Sequence, residues 1–270
     1  MIKLGFHPAI WIRQEGGHEK NFIQALKDMS DLGWDGFEYA GAGLESYYGR
    51  EDELKRILSD LDLELCAFYC SNAYIYPEQA EDEFERARRK ADFLAEMGNQ
   101  PILLIDGGAK REGGNTEEDL HTVARAANKL GQIAKERGIM AVWHQHWGTL
   151  LEYKEPFYKF MELTDPDLVY FCPDTAQLAL GDFDLVDVYT RFIDRIRYTH
   201  FKDLDTNRRF IENGRGIVDF PVLWKILQDH GYDGWITVDL DYTDFPPKEA
   251  SAMCKRYLNV GIQGRRDQEA

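Results

Sequence analysis

Several apolar runs in this chain end in residues that bind metals or move protons. The run 140–143 is followed by His144, Gln145, His146, Trp147 and Gly148, and the run 168–172 by Pro173, Asp174 and Thr175. The run 196–201 contains His200 and leads into Lys202 and Asp203, and 235–240 contains Asp239 and leads into Asp241. An earlier run, 36–39, carries Glu38. Side chains two apart on a strand share a face, so His144 pairs with His146, His200 with Lys202, and Asp239 with Asp241. Two imidazoles and two carboxylates suit a borderline divalent ion such as Mn²⁺, Co²⁺ or Zn²⁺. Singly, each residue has a plainer reading: Glu38 as a brace, Lys202 as a surface cation, Asp241 as a rim residue or helix cap. Taken jointly, they point to a metal site. Trp11, Trp143 and Trp147 are either packing residues or rings that stack on sugar faces.

Such residues converge only if the strands that carry them lie side by side. Apolar or β-branched runs occur at 2–6, 36–39, 64–69, 101–105, 140–143, 168–172, 196–201 and 235–240, eight in all. Amphipathic stretches lie between them. The segment 19–32 places Phe22, Ile23, Leu26, Met29 and Leu32 on one face, and 81–97 and 117–137 repeat that pattern. Gly33, Gly98, Gly138 and Gly231 sit where helix C-terminal glycines belong. Eight βα units in 270 residues predict one (β/α)8 barrel over 1–263, followed by a polar tail, 264–270. An open doubly wound sheet would need a Gly-rich phosphate loop after its first strand; His7-Pro8-Ala9-Ile10-Trp11 stands there instead. In a closed barrel the reactive residues sit at strand C-termini.

A net charge of −16 argues against nucleic acid and anionic membranes as partners. No apolar stretch approaches the roughly 20 residues of a membrane span. The N-terminus reads as a strand rather than a secretion signal, so a cytoplasmic location is the default expectation. Cys66, Cys70, Cys172 and Cys254 lack the close pairing of a zinc knuckle or redox motif and read as small buried hydrophobes. The sequence allows a homo-oligomer.

The segments Pro173-Asp174-Thr175-Ala176-Gln177, Tyr198-Thr199-His200-Phe201-Lys202-Asp203, Gly214-Arg215-Gly216-Ile217-Val218-Asp219-Phe220 and Tyr232-Asp233-Gly234-Trp235 resemble those of the sugar phosphate isomerase/epimerase group, with its xylose isomerase-like barrel. The resemblance runs from Ile2 to about Val260. Within that group, His144-Gln145-His146-Trp147-Gly148-Thr149 looks most like the inosose dehydratases. The resemblance implies a metal held by residues ending strands five to eight. Asp174 and His200 match that pattern; His144 and Asp239 stand where the group usually has Glu, with His146 and Glu152 as alternatives for strand five. One divalent ion is expected, Mn²⁺ first, with Co²⁺, Zn²⁺ or Mg²⁺ as alternatives.

The implied chemistry is removal of the proton α to the ketone of a keto-sugar or keto-polyol. His146 is the first candidate base and Glu38 the second. Lys202 would hold an oxyanion or protonate a leaving group, and Trp11, Trp147 and Arg215 would bind substrate. Loss of a β-hydroxyl gives a dehydratase; return of the proton gives an epimerase or isomerase. Eliminating cleavage of a 3-keto-glycoside is a further outcome. Two readings of other classes are an abasic-site nuclease, opposed by the acidity, and a non-catalytic sugar-binding barrel.

Overall fold

The computed structural model describes residues 2–16 and 18–262, so the expected polar tail lies outside the described residues. Eight parallel strands form the barrel: β1 (Lys3–Phe6), β2 (Gly36–Tyr39), β3 (Glu64–Asn72), β4 (Ile102–Gly107), β5 (Met140–His144), β6 (Val169–Cys172), β7 (Tyr198–His200) and β10 (Trp235–Val238). A two-stranded antiparallel hairpin, β8 (Asp203–Leu204) and β9 (Phe210–Ile211), stands at the mouth between β7 and β10. Hydrogen-bonded order runs β6-β5-β4-β3-β2-β1-β10-β7. The parallel bridges Phe171–Ile196 and Asp174–His200 join β6 to β7 and bring the ring almost to closure. These are the eight expected runs, displaced by a few residues at their ends; the hairpin was not anticipated, because two-residue strands leave no periodic signal.

The strands are buried on both faces, as covered parallel strands must be. Cys66, Ala67, Tyr69, Ile102, Leu104, Val142, Cys172 and Tyr198 form one apolar cluster, and a larger one packs the sheet against the helices. The four cysteines are all free and buried. Helices His18–Asp31, Ala80–Met97 and Glu117–Lys135 occupy the predicted amphipathic segments. The last begins with a capping box, Thr116 and Asp119 satisfying one another's backbone amides. Gly33, Gly98, Gly138 and Gly231 all adopt left-handed φ between 69° and 73°, which a side chain resists and glycine does not. No helix among the described residues is long and apolar enough to cross a membrane.

Candidate metal centre and active site

The ends of β5, β6 and β7 bring His144, Asp174 and His200 together. Their ligand atoms lie within 4.8 Å of one another, and all three side chains are buried. The bridge between Asp174 and His200 fixes two of them at the same height on adjacent strands. Asp174 Oδ2 stands 3.3 Å from His144 Nε2 and 3.4 Å from His200 Nδ1. Its other oxygen, Oδ1, accepts a hydrogen bond from the amide of Gln177 at 2.9 Å and so caps helix Thr175–Leu180. Asp239, just beyond β10, places Oδ2 4.0 Å from His200 Nδ1.

Opposite Asp174, the Nε2 of His200 meets Glu38 Oε2 at 2.9 Å. The same carboxylate oxygen accepts the Tyr198 hydroxyl at 2.8 Å. With Nε2–H donating to a carboxylate, a neutral His200 would carry its lone pair on Nδ1, the nitrogen facing Asp174 and Asp239. That is the orienting arrangement typical of metal-bound histidines. Without a metal, burial opposes the ring's charge, but the carboxylates of Glu38 and Asp174 outweigh it and hold its pKa well above the ordinary value.

Lys202 is 1% exposed. Its ammonium donates to Asp239 Oδ2 at 2.8 Å and to Asp241 Oδ2 at 2.5 Å, and lies 4.3 Å from the centre of the Phe210 ring. The surface-cation reading of Lys202 is therefore overturned: the side chain points into the mouth. Burial works against the lysine charge, but Asp239, Asp174 and Asp241 outweigh it and hold the ammonium above its ordinary pKa. Burial likewise opposes ionisation of Asp174 and Asp239. The adjacent His144 and His200 rings depress the first, and the Lys202 charge the second. Burial lowers the pKa of His144 despite its Asp174 partner, keeping it in the neutral form that ligates metals.

The residues fit a divalent cation. Buried Nδ1 atoms of His144 and His200 have no hydrogen-bond partner, nor has Glu38 Oε1, a costly state inside a protein unless a ligand meets them. Four carboxylates, the buried Glu38, Asp174 and Asp239 and the part-buried Asp241, gather around the buried ammonium of Lys202 and the rings of His144 and His200, so negative charge is in excess.

Other predicted residues fall at different distances from this group. The His146 ring centre is 5.5 Å from that of His144. His146 Nδ1 donates to the Trp147 carbonyl at 2.5 Å, and its Nε2 lies 3.2 Å from the Gln177 amide nitrogen. Glu152 is spent elsewhere, accepting from Lys110 at 2.5 Å and from the Gly148 amide at 3.0 Å. Trp147 is half-buried on the rim, edge-on to Tyr153. Trp11 is not at the mouth group: it is buried against Phe6, and its indole donates to Asp28 at 2.9 Å. Trp143 is buried against Phe160 and Tyr74. Arg215 lies on the loop after the hairpin, paired with Glu212 at 2.5 Å.

Sequence reasoning passed over three neighbours. His7 brings Nδ1 3.7 Å from Asp239 Oδ1, and Tyr69 packs its ring against His7, His144 and His200. Gln177 links Asp174 to His146 and Trp147. The strand-end rule would have found His7, which directly follows β1; Tyr69 reads as one more aromatic in an apolar strand.

The sequence pattern of the xylose isomerase-like TIM barrel family matches residues 26–257. Inosose dehydratase from Clostridium perfringens (strain 13 / Type A) is 28% identical, the match covering 95% of this chain and 96% of that protein. Inosose dehydratase from Lacticaseibacillus casei is also 28% identical, over 96% of this chain and 97% of the other. Among solved structures, an IOLI protein with a bound zinc atom superposes with a TM-score of 0.82 at 15% identity, covering 99% of this chain and all of the other. An L-ribulose 3-epimerase superposes at 0.80 and 16% identity, covering 98% and 95%. With the family pattern spanning most of its length, the chain belongs to the xylose isomerase-like TIM barrel family.

Proposed function

We propose that this protein is a divalent-metal-dependent lyase that removes the proton α to the ketone of a keto-inositol or keto-sugar and expels a β-hydroxyl, in the manner of an inosose dehydratase. The observation that carries this reading is the buried group His144, Asp174 and His200 beside the Asp239–Lys202 pair, with Nδ1 of His200 unpartnered. The full-length similarity to proteins named inosose dehydratase supports the choice of substrate class.

His144, Asp174, His200 and Asp239 would hold the ion. Bound there, it would polarise the ketone and stabilise negative charge on its oxygen; Mn²⁺ is the first choice for this mixed imidazole–carboxylate set. Glu38, expected as a second base, instead orients His200, because its Oε2 is engaged by His200 and Tyr198. His146 takes the α-proton: its Nδ1 is committed to a carbonyl, so Nε2 carries the lone pair, and substrate displaces the Gln177 amide from it. Lys202, held firmly protonated by its carboxylate neighbours, stabilises the charge that develops on the departing oxygen. Trp147 offers a half-buried ring at the rim for the sugar face.

The test is metal content of the purified protein, with keto-inositol turnover, on wild type and Asp174→Ala. About one equivalent of metal in the wild type, lost with activity in the variant, is expected. Full occupancy in Asp174→Ala would remove the ligand set. Metal without turnover of any keto-inositol or keto-sugar would remove the substrate class.

A further inference from the structure

Two hydrogen-bond donors beside the metal group have nothing in the protein to donate to. His7 directly follows β1, and its amide donates to the Val238 carbonyl at 2.9 Å, which fixes it next to Asp239. Its Nδ1 accepts the Ala9 amide at 3.2 Å. One N–H cannot point at another, so Nδ1 carries the lone pair and the ring proton sits on Nε2. Asp239 Oδ1, 3.7 Å from Nδ1, lies beyond hydrogen-bond reach. Among the described residues neither the Nε2–H of His7 nor the hydroxyl of Tyr69 has an acceptor.

The two residues share one wall. Their rings stand edge to face with centres 5.8 Å apart. Tyr69 also packs 5.8 Å from the His144 ring and 6.2 Å from the His200 ring, so it borders the metal group. Tyr69 is 9% exposed and the His7 side chain 13%, so both are sheltered but not sealed. In the ring of eight strands β1 stands opposite β5, and β3 opposite β7. His146 and Lys202, which move charge in the proposed reaction, follow β5 and β7. His7 and Tyr69 therefore face them across the mouth, where the part of the substrate remote from the breaking bond would rest.

Sheltered donors without acceptors cost stability unless a ligand meets them. Their surroundings specify its chemistry. Neither donor is a cation. Asp239 stands beside His7, and two positions beyond Tyr69, on the same strand face, Ser71 donates to Asp106. Neutral donors among carboxylates suit the oxygen of a hydroxyl rather than a phosphate. We infer that His7 and Tyr69 bind ring hydroxyls of the substrate remote from the bond that breaks, and so select substrates that carry them. The inference rests on the central site being a keto-polyol site.

Keto-inositol kinetics on the Mn²⁺-loaded wild type, Tyr69→Phe, His7→Asn and His7→Gln test it, with monodeoxy keto-inositols as probes. Tyr69→Phe removes only a hydroxyl. Asparagine keeps an oxygen for the Ala9 amide and has no group at Nε2, whereas glutamine returns an N–H there. Tyr69→Phe and His7→Asn should each raise KM about tenfold, with a much smaller change in kcat and unchanged metal content. His7→Gln should restore much of the loss. One monodeoxy analogue should be about tenfold poorer for the wild type and no poorer than the parent for the variants. Unchanged KM, a loss confined to kcat, metal lost from either variant, or an equal loss for every analogue overturns the inference. If the wild type turns over no keto-inositol or keto-sugar, the central reading falls. Calorimetry with myo-inositol and its monodeoxy analogues then decides the donor pair: discrimination present in wild type and lost in both variants upholds it, and its absence overturns it.

Discussion

Replacing Lys202 with Met keeps the length and apolar stem of the side chain and removes its charge. Lys202 is 1% exposed and its ammonium is 2.8 Å from Asp239 and 2.5 Å from Asp241. In the variant, the buried Asp239 loses its nearest compensating charge. Breaking a buried pair by removing one partner costs about 3–5 kcal/mol. Unfolding entropy of about 2.1 cal/mol/K per residue, over the 270 residues, converts that into a fall in Tm of about 5–9 °C for metal-free protein. A divalent cation relieves the same charge excess, so Mn²⁺ should raise Tm more in Lys202→Met than in wild type. Turnover should fall roughly 10²- to 10³-fold even at saturating metal. Differential scanning calorimetry with and without Mn²⁺ measures both shifts. A metal-free Tm within about 1 °C of wild type, with the same Mn²⁺-induced rise, would refute the assignment of Lys202 as the charge that balances these carboxylates.

Glu38→Gln should weaken metal binding about 10- to 100-fold, because an amide orients His200 less firmly than a carboxylate; an unchanged dissociation constant in a metal titration would deny Glu38 that role. Asp119→Asn should cost about 1 kcal/mol at pH 7, the usual worth of a helix cap. Arg111, against the effect of burial, holds the Asp119 carboxyl down from 3.8 to about 2. Since the folded value lies below the unfolded one, this stability is present above pH 3.8 and disappears as pH falls through about 2. Denaturation curves of the two proteins should therefore converge at low pH, and a constant gap would contradict the assignment. Gly214→Ala should destabilise by more than about 1 kcal/mol: its φ is +85°, and a Cβ would sit 2.3 Å from the Tyr257 ring. Urea denaturation at the wild-type level would show that the loop relaxes freely.

The barrel and much of its site are written in local patterns. Strand and helix periodicities, the four left-handed glycines and the polar residues closing β5, β6, β7 and β10 all depend on neighbours a few positions away, so they are visible in the chain as it is read. Which polar residues meet is decided across the ring. Glu38 reaches His200 over 162 positions, and His7 approaches Asp239 because β1 pairs with β10. Local alternation placed His144 and His146 as equals. Instead β5 stops at His144, which sits against Asp174, while the turn that follows hands His146 to Gln177 and commits Glu152 to Lys110. Trp11 and Trp147 read alike in sequence, yet Trp11 is buried against Phe6 and Asp28 and Trp147 stands at the rim. A residue's type and its strand position follow from the sequence alone. Its partner, burial and charge state follow from barrel closure and register, which join residues that no local period connects.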